Sequence, residues 1–508
     1  MRHETTLSEA RHLRLAFEEL GVTFIKLGQI LSTRPDLLPD DYLDELGKLR
    51  DAVPPVDAVD IRAVLEAELG TSLDRCFAHF DDNPLASASI GQVHAAKLLD
   101  GTDVVVKVQK PGVPERVAED VEVLRQLAAV AEQRSQTARR YDAEALVDEF
   151  EWQLRAELDY FREARNALRF AEQLAGNPAV LIPRIHWRYT TRMVLTMERL
   201  EGVPIHDGEG IDAAGIDRRL VAENCATILL ESIFQHGFYH ADPHPGNFFV
   251  QPGGAIAVVD FGMVGQISED NRFSLVRLLD AVVHQKPDAA VDALGELGMR
   301  PRASERRTFV RDMRHMLDAY YGLDLEDISA SRLYRDLTAI SRRHSLPMPA
   351  DLALLFKTIS MNEGLERAIN PSFNFLRTAE PFAREGMAEL RSPLSVARRT
   401  ARTTAESAIL MPELPERAWR ILRQAEHGEF QIRLHPEEVE RAIDGLRAVL
   451  NRLAASIIGA AVTVAVAIVM LANRPPAWRI ASGFFLASGP LVVGSLWSWA
   501  LWSARRRE

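Results

Sequence analysis

His240-Ala241-Asp242-Pro243-His244-Pro245-Gly246-Asn247, followed after the apolar run 255–259 by Asp260-Phe261-Gly262, is the stretch whose reading decides the fold. An Asp and an Asn five positions apart in a Pro/Gly-shaped loop, with a second Asp beyond a strand-like run, meet the needs of phosphoryl transfer from a nucleotide. One carboxylate orients the acceptor and takes its proton, while the amide and the second carboxylate hold Mg²⁺ against the phosphates. Alone, either motif is ordinarily a turn. Their order, and the apolar run between them, point to a metal–phosphate site. His240 and His244, lacking Cys or a third ligand at suitable spacing, make a poor zinc site and read as loop-bracing histidines.

Outward from this stretch, the chain of 508 residues exceeds what one hydrophobic core supports, so more than one unit is expected. A content of 47% hydrophobic and 26% charged residues describes a globular protein. The formal net charge of −12 argues against a nucleic-acid partner, which would need a basic face. Cys76 and Cys225 stand far apart with no Cys/His cluster, which excludes a disulfide framework and suits a reducing compartment. The N-terminus lacks the apolar core of a secretory signal, so the bulk of the chain is expected in the cytosol.

Residues 7–31 read as one helix, with Phe24, Leu27, Gly28 and Leu31 on a shared face and Lys26 and Gln29 one turn apart on another. From Asp81 the texture is strand-like. A small-residue stretch, Ala86-Ser87-Ala88-Ser89-Ile90-Gly91-Gln92-Val93, leads through Gly101 to Val104-Val105-Val106-Lys107-Val108. Strand alternation puts Lys107 opposite Val104, Val106 and Val108. A small-residue hairpin followed by a strand lysine is a means of covering and pairing nucleotide phosphates; an edge-strand solubility lysine is the bland reading. Helices are expected over roughly 113–135 and 142–175, the second carrying Glu157, Asp159 and Glu163. On a continuous helix Glu157 and Glu163 project about 120° apart and face different partners. After Pro183 two short strands are expected, the second ending at Met197-Glu198, where the chain looks like a hinge between two lobes. A helix over 217–236 leads into the central loop, 265–380 is helical, and 385–450 is polar and helical with an Arg cluster at 398, 399 and 402.

The C-terminal section carries a strong physical signal. Residues 453–472 and 480–502 are free of charge and are joined by a short Arg/Pro turn. Two such spans are long enough to cross a bilayer and form a hairpin. Arg441, Arg447 and Arg452 before the first span and Arg505, Arg506 and Arg507 after the second outnumber the two arginines of the turn, which favours both ends inside.

With these residues on view, the chain resembles the ABC1/UbiB family of atypical protein-kinase-like proteins. Lys26-Leu27-Gly28-Gln29 is similar to the family's KxGQ motif, Glu157-Leu158-Asp159 to its ExD motif, and Ala86-Ser87-Ala88-Ser89 to its alanine-rich loop, with Ser87 in place of one alanine. The resemblance implies an α+β, two-lobed protein-kinase-like fold: an N-terminal helical extension (1–80), an N-lobe (81–200), a C-lobe (201–384), a helical linker (385–450) and two transmembrane helices (451–503). It implies ATP and Mg²⁺ as cofactors. Asp242 is then the catalytic-loop Asp, and Asn247 and Asp260 the metal ligands. Lys107, paired with Glu163, holds the phosphates, and the nucleotide lies among Ala86, Ser87, Ala88, Ser89, Ile90, Gly91, Val93, Met197 and Glu198. Lys26 paired with Glu157, together with Gln29 and Asp159, folds the N-terminal helix over the site as a regulatory element. His240-Ala241-Asp242 lacks the Arg that receives an activation-loop phosphate, so that mode of regulation is not expected. ATPase activity or limited self-phosphorylation supporting isoprenoid-quinone biosynthesis, or membrane lipid homeostasis, is implied. The implied setting is a cell membrane with the catalytic part on the cytoplasmic side, and the implied partners are membrane lipid, quinone precursors, a quinone-biosynthesis complex and a second copy of the chain. The loop also looks like that of aminoglycoside and choline kinases, but those have no use for the Lys26/Gln29 helix, the Glu157/Asp159 pair or a membrane hairpin. A nucleotide-sensing scaffold with little turnover is the third reading.

Overall fold

The computed structural model describes residues 8–392, apart from 33–37, 50–52, 136–138, 140–141, 303, 321–328 and 347. All of them belong to the first of the chain's two units, Met1–Arg399. The predicted membrane hairpin and most of the predicted linker lie outside the described residues. Among the described residues, no helix is long and apolar enough to cross a membrane.

The helices are α1 (Glu9–Leu20), α2 (Val22–Leu31), α3 (Asp40–Leu46), α4 (Ala58–Leu69), α5 (Val113–Arg134), α6 (Ala143–Glu157) and α7 (Tyr160–Gln173), followed in the second lobe by α8 (Gly208–Ala213), α9 (Arg218–Glu231), α10 (Glu269–Val283), α11 (Pro287–Glu296), α12 (Arg306–Asp318), α13 (Ala330–Arg343), α14 (Ala350–Ile369) and α15 (Phe375–Arg391). The first-lobe sheet holds β1 (Phe77–Ser87), β2 (Gly91–Leu98), β3 (Asp103–Gln109) and β5 (Val194–Glu198) in the antiparallel order β1-β2-β3-β5. Alternation along β3 puts Val104, Val106 and Val108 on the back face, where they are fully buried against Ile61 and Leu65 of α4. Each buried valine contributes about 1.5–3 kcal/mol. The opposite face, with Val93, Val105 and Lys107, is left for the cleft. Because β3 lies between β2 and β5, Lys107 is not an edge-strand lysine.

Three expectations change. The single helix over 7–31 is two, because Gly21 adopts φ +100°, a backbone open to glycine and strained for other residues. The helix expected over 142–175 also breaks, at Leu158. Asp159 caps the next helix, accepting from the N–H groups of Phe161 and Arg162 at 3.1 and 3.3 Å. The first of the strands expected after Pro183 is only a bridge, Ile185 to Met197; the strand nearby, β4 (Val180–Leu181), precedes the proline and joins the second lobe's sheet beside β9 (Ile256–Val258). Helix α15 runs on through residue 384 and packs on α10.

The second lobe is a helical core around α9, α10, α11 and α14, whose buried residues include Ala226, Leu230, Leu294 and Leu355. On its cleft side lie short strands: β7 (Phe238–His240) pairs with β10 (Val264–Gln266), and β8 (Phe248–Val250) pairs with β9 on one side and β6 (Val203–Pro204) on the other. The catalytic-loop sequence connects β7 to β8, and Asp260-Phe261-Gly262 connects β9 to β10. These pairings fix both loops at the mouth of one cleft.

Candidate active site

The ammonium of Lys107 is 2.9 Å from each carboxylate oxygen of Glu163 and 3.1 Å from Oδ2 of Asp260. It also lies over the Tyr160 ring, 5.1 Å from its centre. Three elements meet here: β3, the first turn of α7 and the 260–262 turn. Burial pushes the Glu163 carboxyl up to about 7, with the Asp260 charge adding to it and Lys107 opposing. Burial also pushes Asp260 upward, but Lys107 and the Gly262 N–H, which donates to Oδ1 at 2.9 Å, outweigh it and hold Asp260 at about 2. Lys107 stays charged: burial opposes this, and the two carboxylates win. Gly91 permits the approach, since a Cβ there would collide with the Tyr160 hydroxyl and the Val108 carbonyl.

The catalytic-loop candidates are cross-braced. Asn247 donates its amide to the Asp242 carbonyl at 3.2 Å and to its Oδ2 at 3.3 Å. That use of the nitrogen leaves Oδ1 as a hard oxygen ligand, like the Asp260 carboxylate. Nε2–H of His240 donates to the Asp260 carbonyl at 2.5 Å, while Nδ1 accepts from the Asp242 N–H at 3.2 Å. One neutral imidazole, its tautomer set by its two partners, thus ties the two loops together. Nδ1 of His244 accepts from Gly246 N–H at 3.1 Å. Both histidines brace the loop, as their sequence context implies. Among the described residues no three His, Cys, Asp or Glu side chains cluster to hold a metal. A Mg²⁺ bound through one or two side chains plus phosphate oxygens requires no such cluster.

Over this site lies α2. Lys26 Nζ is 3.3 Å from Glu157 Oε1, with side chains 14% and 32% exposed, so Lys26 does not decorate a solvated face. Gln29 donates to the Leu49 carbonyl at 3.3 Å. The buried residues of α2 are Thr23, Ile25 and Gly28, not Phe24. A Cβ on Gly28 would overlap Leu49 and Phe17, and Thr23 donates to Asp120 at 2.5 Å. Contacts on both sides wedge the helix in place. Glu157 and Glu163 do face different partners; the break at 158–159, rather than a continuous helical rotation, separates them.

The cleft of about 2420 Å³ is lined by Lys26, Gln29, Ala86, Ala88, Ser89, Ile90, Val93, Lys107, Glu157, Glu163, Met197, Glu198, Asp242, Asn247 and Asp260. Ser87, Gly91 and Asp159 are not on its wall: Gly91 serves packing and Asp159 caps α7. A small-molecule pocket rarely exceeds about 1,000 Å³, so there is room for a second reactant beside a nucleotide. Sequence reasoning assigns no role to several residues that set the geometry. Asn166 of α7 donates to the Phe261 carbonyl at 2.9 Å. Gln109, fully buried, donates to the carbonyls of Leu158 and Arg192 at 2.5 and 3.2 Å. Thr358 of α14 donates to the Ala241 carbonyl at 3.2 Å. Asn166, one turn from Glu163 on the same helix, carried the only local signal.

A sheet lobe and a helical lobe, with a lysine–carboxylate pair and two braced acidic loops between them, define a protein of the protein-kinase-like class. Residues 48–293 match the ABC1 atypical kinase-like domain and residues 313–374 the UbiB helical domain. The protein named "Probable protein kinase UbiB" in Xylella fastidiosa (strain 9a5c) is 32% identical over 503 residues, 96% of this chain and 91% of that one. Its namesake in Azotobacter vinelandii (strain DJ / ATCC BAA-1303) is 38% identical over 396 residues, 77% of this chain and 74% of that one. The solved complex of Rv3197 with erythromycin from Mycobacterium tuberculosis is similar over 71% of this chain and 92% of that one, with 28% identity and a TM-score of 0.51. The chain belongs to the ABC1/UbiB family of atypical kinases.

Proposed function

We propose that the protein is a Mg²⁺–ATP-dependent phosphotransferase or ATPase of the UbiB type, acting at a membrane in support of isoprenoid-quinone biosynthesis. The observation that carries the reading is the Lys107 ammonium held between Glu163 and Asp260 in the cleft shared with Asp242 and Asn247. Glu163 orients Lys107 toward the α- and β-phosphates of the nucleotide. Asp242, fixed by the Asn247 amide, receives the proton of the attacking hydroxyl or water. Asn247 Oδ1 and Asp260 would hold Mg²⁺, which neutralises phosphate charge when bound. The α2 helix, pinned by Lys26 and Glu157, narrows access for a protein chain and favours a smaller acceptor or water. Quinone precursors, membrane lipid, a biosynthetic complex and a second copy of the chain are the partners this role calls for, with the catalytic part on the cytoplasmic side.

The test is a thermal-shift titration with ATP, with and without Mg²⁺. The parent should be stabilised by ATP only when Mg²⁺ is present, and Asp260→Asn should lose most of that stabilisation. Equal Mg²⁺-dependent stabilisation of both proteins would overturn the metal assignment.

A further inference from the structure

The helix α14 lies beyond the nucleotide motifs, within the span matching the UbiB helical domain, yet one of its faces forms part of the cleft wall. Asp351, Leu354, Lys357 and Met361 recur at helical spacing along that wall. Thr358, fully buried, fastens this turn of the helix to the catalytic loop through the Ala241 carbonyl. The next residue toward the N-terminus, Lys357, is thereby set within electrostatic reach of Asp242. Lys357 makes no hydrogen bond or ion pair with any described residue. Burial pulls its ammonium down, against the attraction of Asp242.

Other cations of the cleft are engaged. Lys107 is held by Glu163 and Asp260, Lys26 by Glu157, and Arg169 lies 3.9 Å from the centre of the Phe238 ring. The loop 242–247 contains no Lys or Arg. Transfer of a phosphoryl group spreads negative charge over its three equatorial oxygens, and a cation aimed there stabilises the transition state more than the ground state. A half-buried lysine with no partner among the described residues, lining the same cleft as the proton-accepting Asp242, is placed for that task.

We propose that Lys357 is a catalytic residue that contacts the phosphoryl group in flight, supplying from the helical domain the positive charge that the catalytic loop lacks. The inference rests on the nucleotide reading of the cleft. The bond from the acceptor oxygen to the γ-phosphorus forms as the bond to the β,γ-bridging oxygen breaks. ADP leaves with that electron pair, the acceptor's proton passes to Asp242, and Lys357 keeps its own proton throughout.

The test uses the full-length protein in detergent, as the parent, Lys357→Met and Lys357→Arg. Affinity is measured for MgADP alone and for MgADP with aluminium fluoride, a planar mimic of the transferring group, alongside kcat and KM for ATP hydrolysis. Lys357→Met should bind the aluminium fluoride complex about 30-fold or more weaker, bind MgADP within about twofold of the parent, and lose about 100-fold in kcat with KM little changed. Lys357→Arg should recover part of each loss. Unchanged affinity for the mimic, or an equal loss for MgADP and for the complex, overturns the assignment and leaves the nucleotide reading standing. A parent that binds no MgADP overturns both. Should Lys357→Met fail to fold, Lys357→Gln is read by the same criteria.

Discussion

At the scale of single residues, the Lys26–Glu157 pair separates a helix that closes the site from one that merely packs nearby. The two side chains come from segments 131 residues apart and are mostly shielded from water. Truncating one leaves the other's charge poorly compensated, so Lys26→Ala should cost about 1–2 kcal/mol, between the values for exposed and buried pairs. Self-phosphorylation should rise relative to ATP hydrolysis as α2 loosens. Glu157→Ala should behave alike, and the double variant should be less than additive by at least about 0.5 kcal/mol. Additive effects in denaturant melts and radiolabel assays would remove α2 from the mechanism. The Lys26–Glu157 pairing came from the family resemblance, whereas Asp242 with Asn247 in a turn and Lys107 on an alternating strand were legible from short motifs whose spacing carries chemistry. Thr358 and Lys357 were not. Thr358 reaches a loop 117 residues away, and nothing in helical periodicity says which face of a long helix meets a distant carbonyl.

At the scale of elements, periodicity located the helices but not their interruptions. Gly21 and the Leu158-Asp159 junction lie inside patterns that continue across them, and the family resemblance groups Asp159 with Glu157 as part of a regulatory pair rather than as a cap. The β1–β2 hairpin was legible from its small residues, while the polar link beneath it was not. His94, fully buried on β2, stacks on Phe80 with ring centres 5.0 Å apart. Its Nδ1–H donates to the Asp81 carbonyl at 2.9 Å, so Nε2 accepts from the Gln92 amide at 3.3 Å, and Gln92 in turn accepts from the Val56 N–H. The imidazole must stay neutral for this chain of bonds, and burial holds its pKa below 6.5. The unfolded chain therefore takes up the proton at a higher pH than the folded one. The stability His94 contributes is present above the unfolded value and is lost as pH falls through about 6.5 toward the lower folded value. Melting temperatures should drop between about pH 7.5 and 5.5 by more in the parent than in His94→Gln, although the variant starts less stable at neutral pH. An equal drop in both would show that His94 titrates alike in the two states.

At the scale of the whole molecule, the two-lobed plan was legible from the order of motifs, but the course of the chain between the lobes was not. Strand β4 crosses to the second lobe's sheet before the hinge, and α15 continues past 384 because its apolar face finds α10. Every residue of the candidate site, from Lys26 to Lys357, lies upstream of residue 453, whereas the charge-free spans 453–472 and 480–502 lie downstream. Nucleotide chemistry and membrane attachment should therefore be separable. The full chain should sediment with membranes and resist carbonate extraction, since each span is long enough to cross about 30 Å of hydrocarbon. Protease added from the cytoplasmic side should reach the kinase-like part, because the arginines flanking the spans outnumber the two in the turn, the bias expected of segments kept inside. A chain ending at residue 450 should appear in the soluble fraction and keep its Mg²⁺-dependent stabilisation by ATP. Any retention on anionic vesicles should then follow Arg398, Arg399 and Arg402 and vanish on raising the salt, because exposed charges separated by more than about 10 Å are screened at 0.1 M. Recovery of the full-length chain as a soluble monomer without detergent would overturn the membrane reading while leaving the cleft assignments intact.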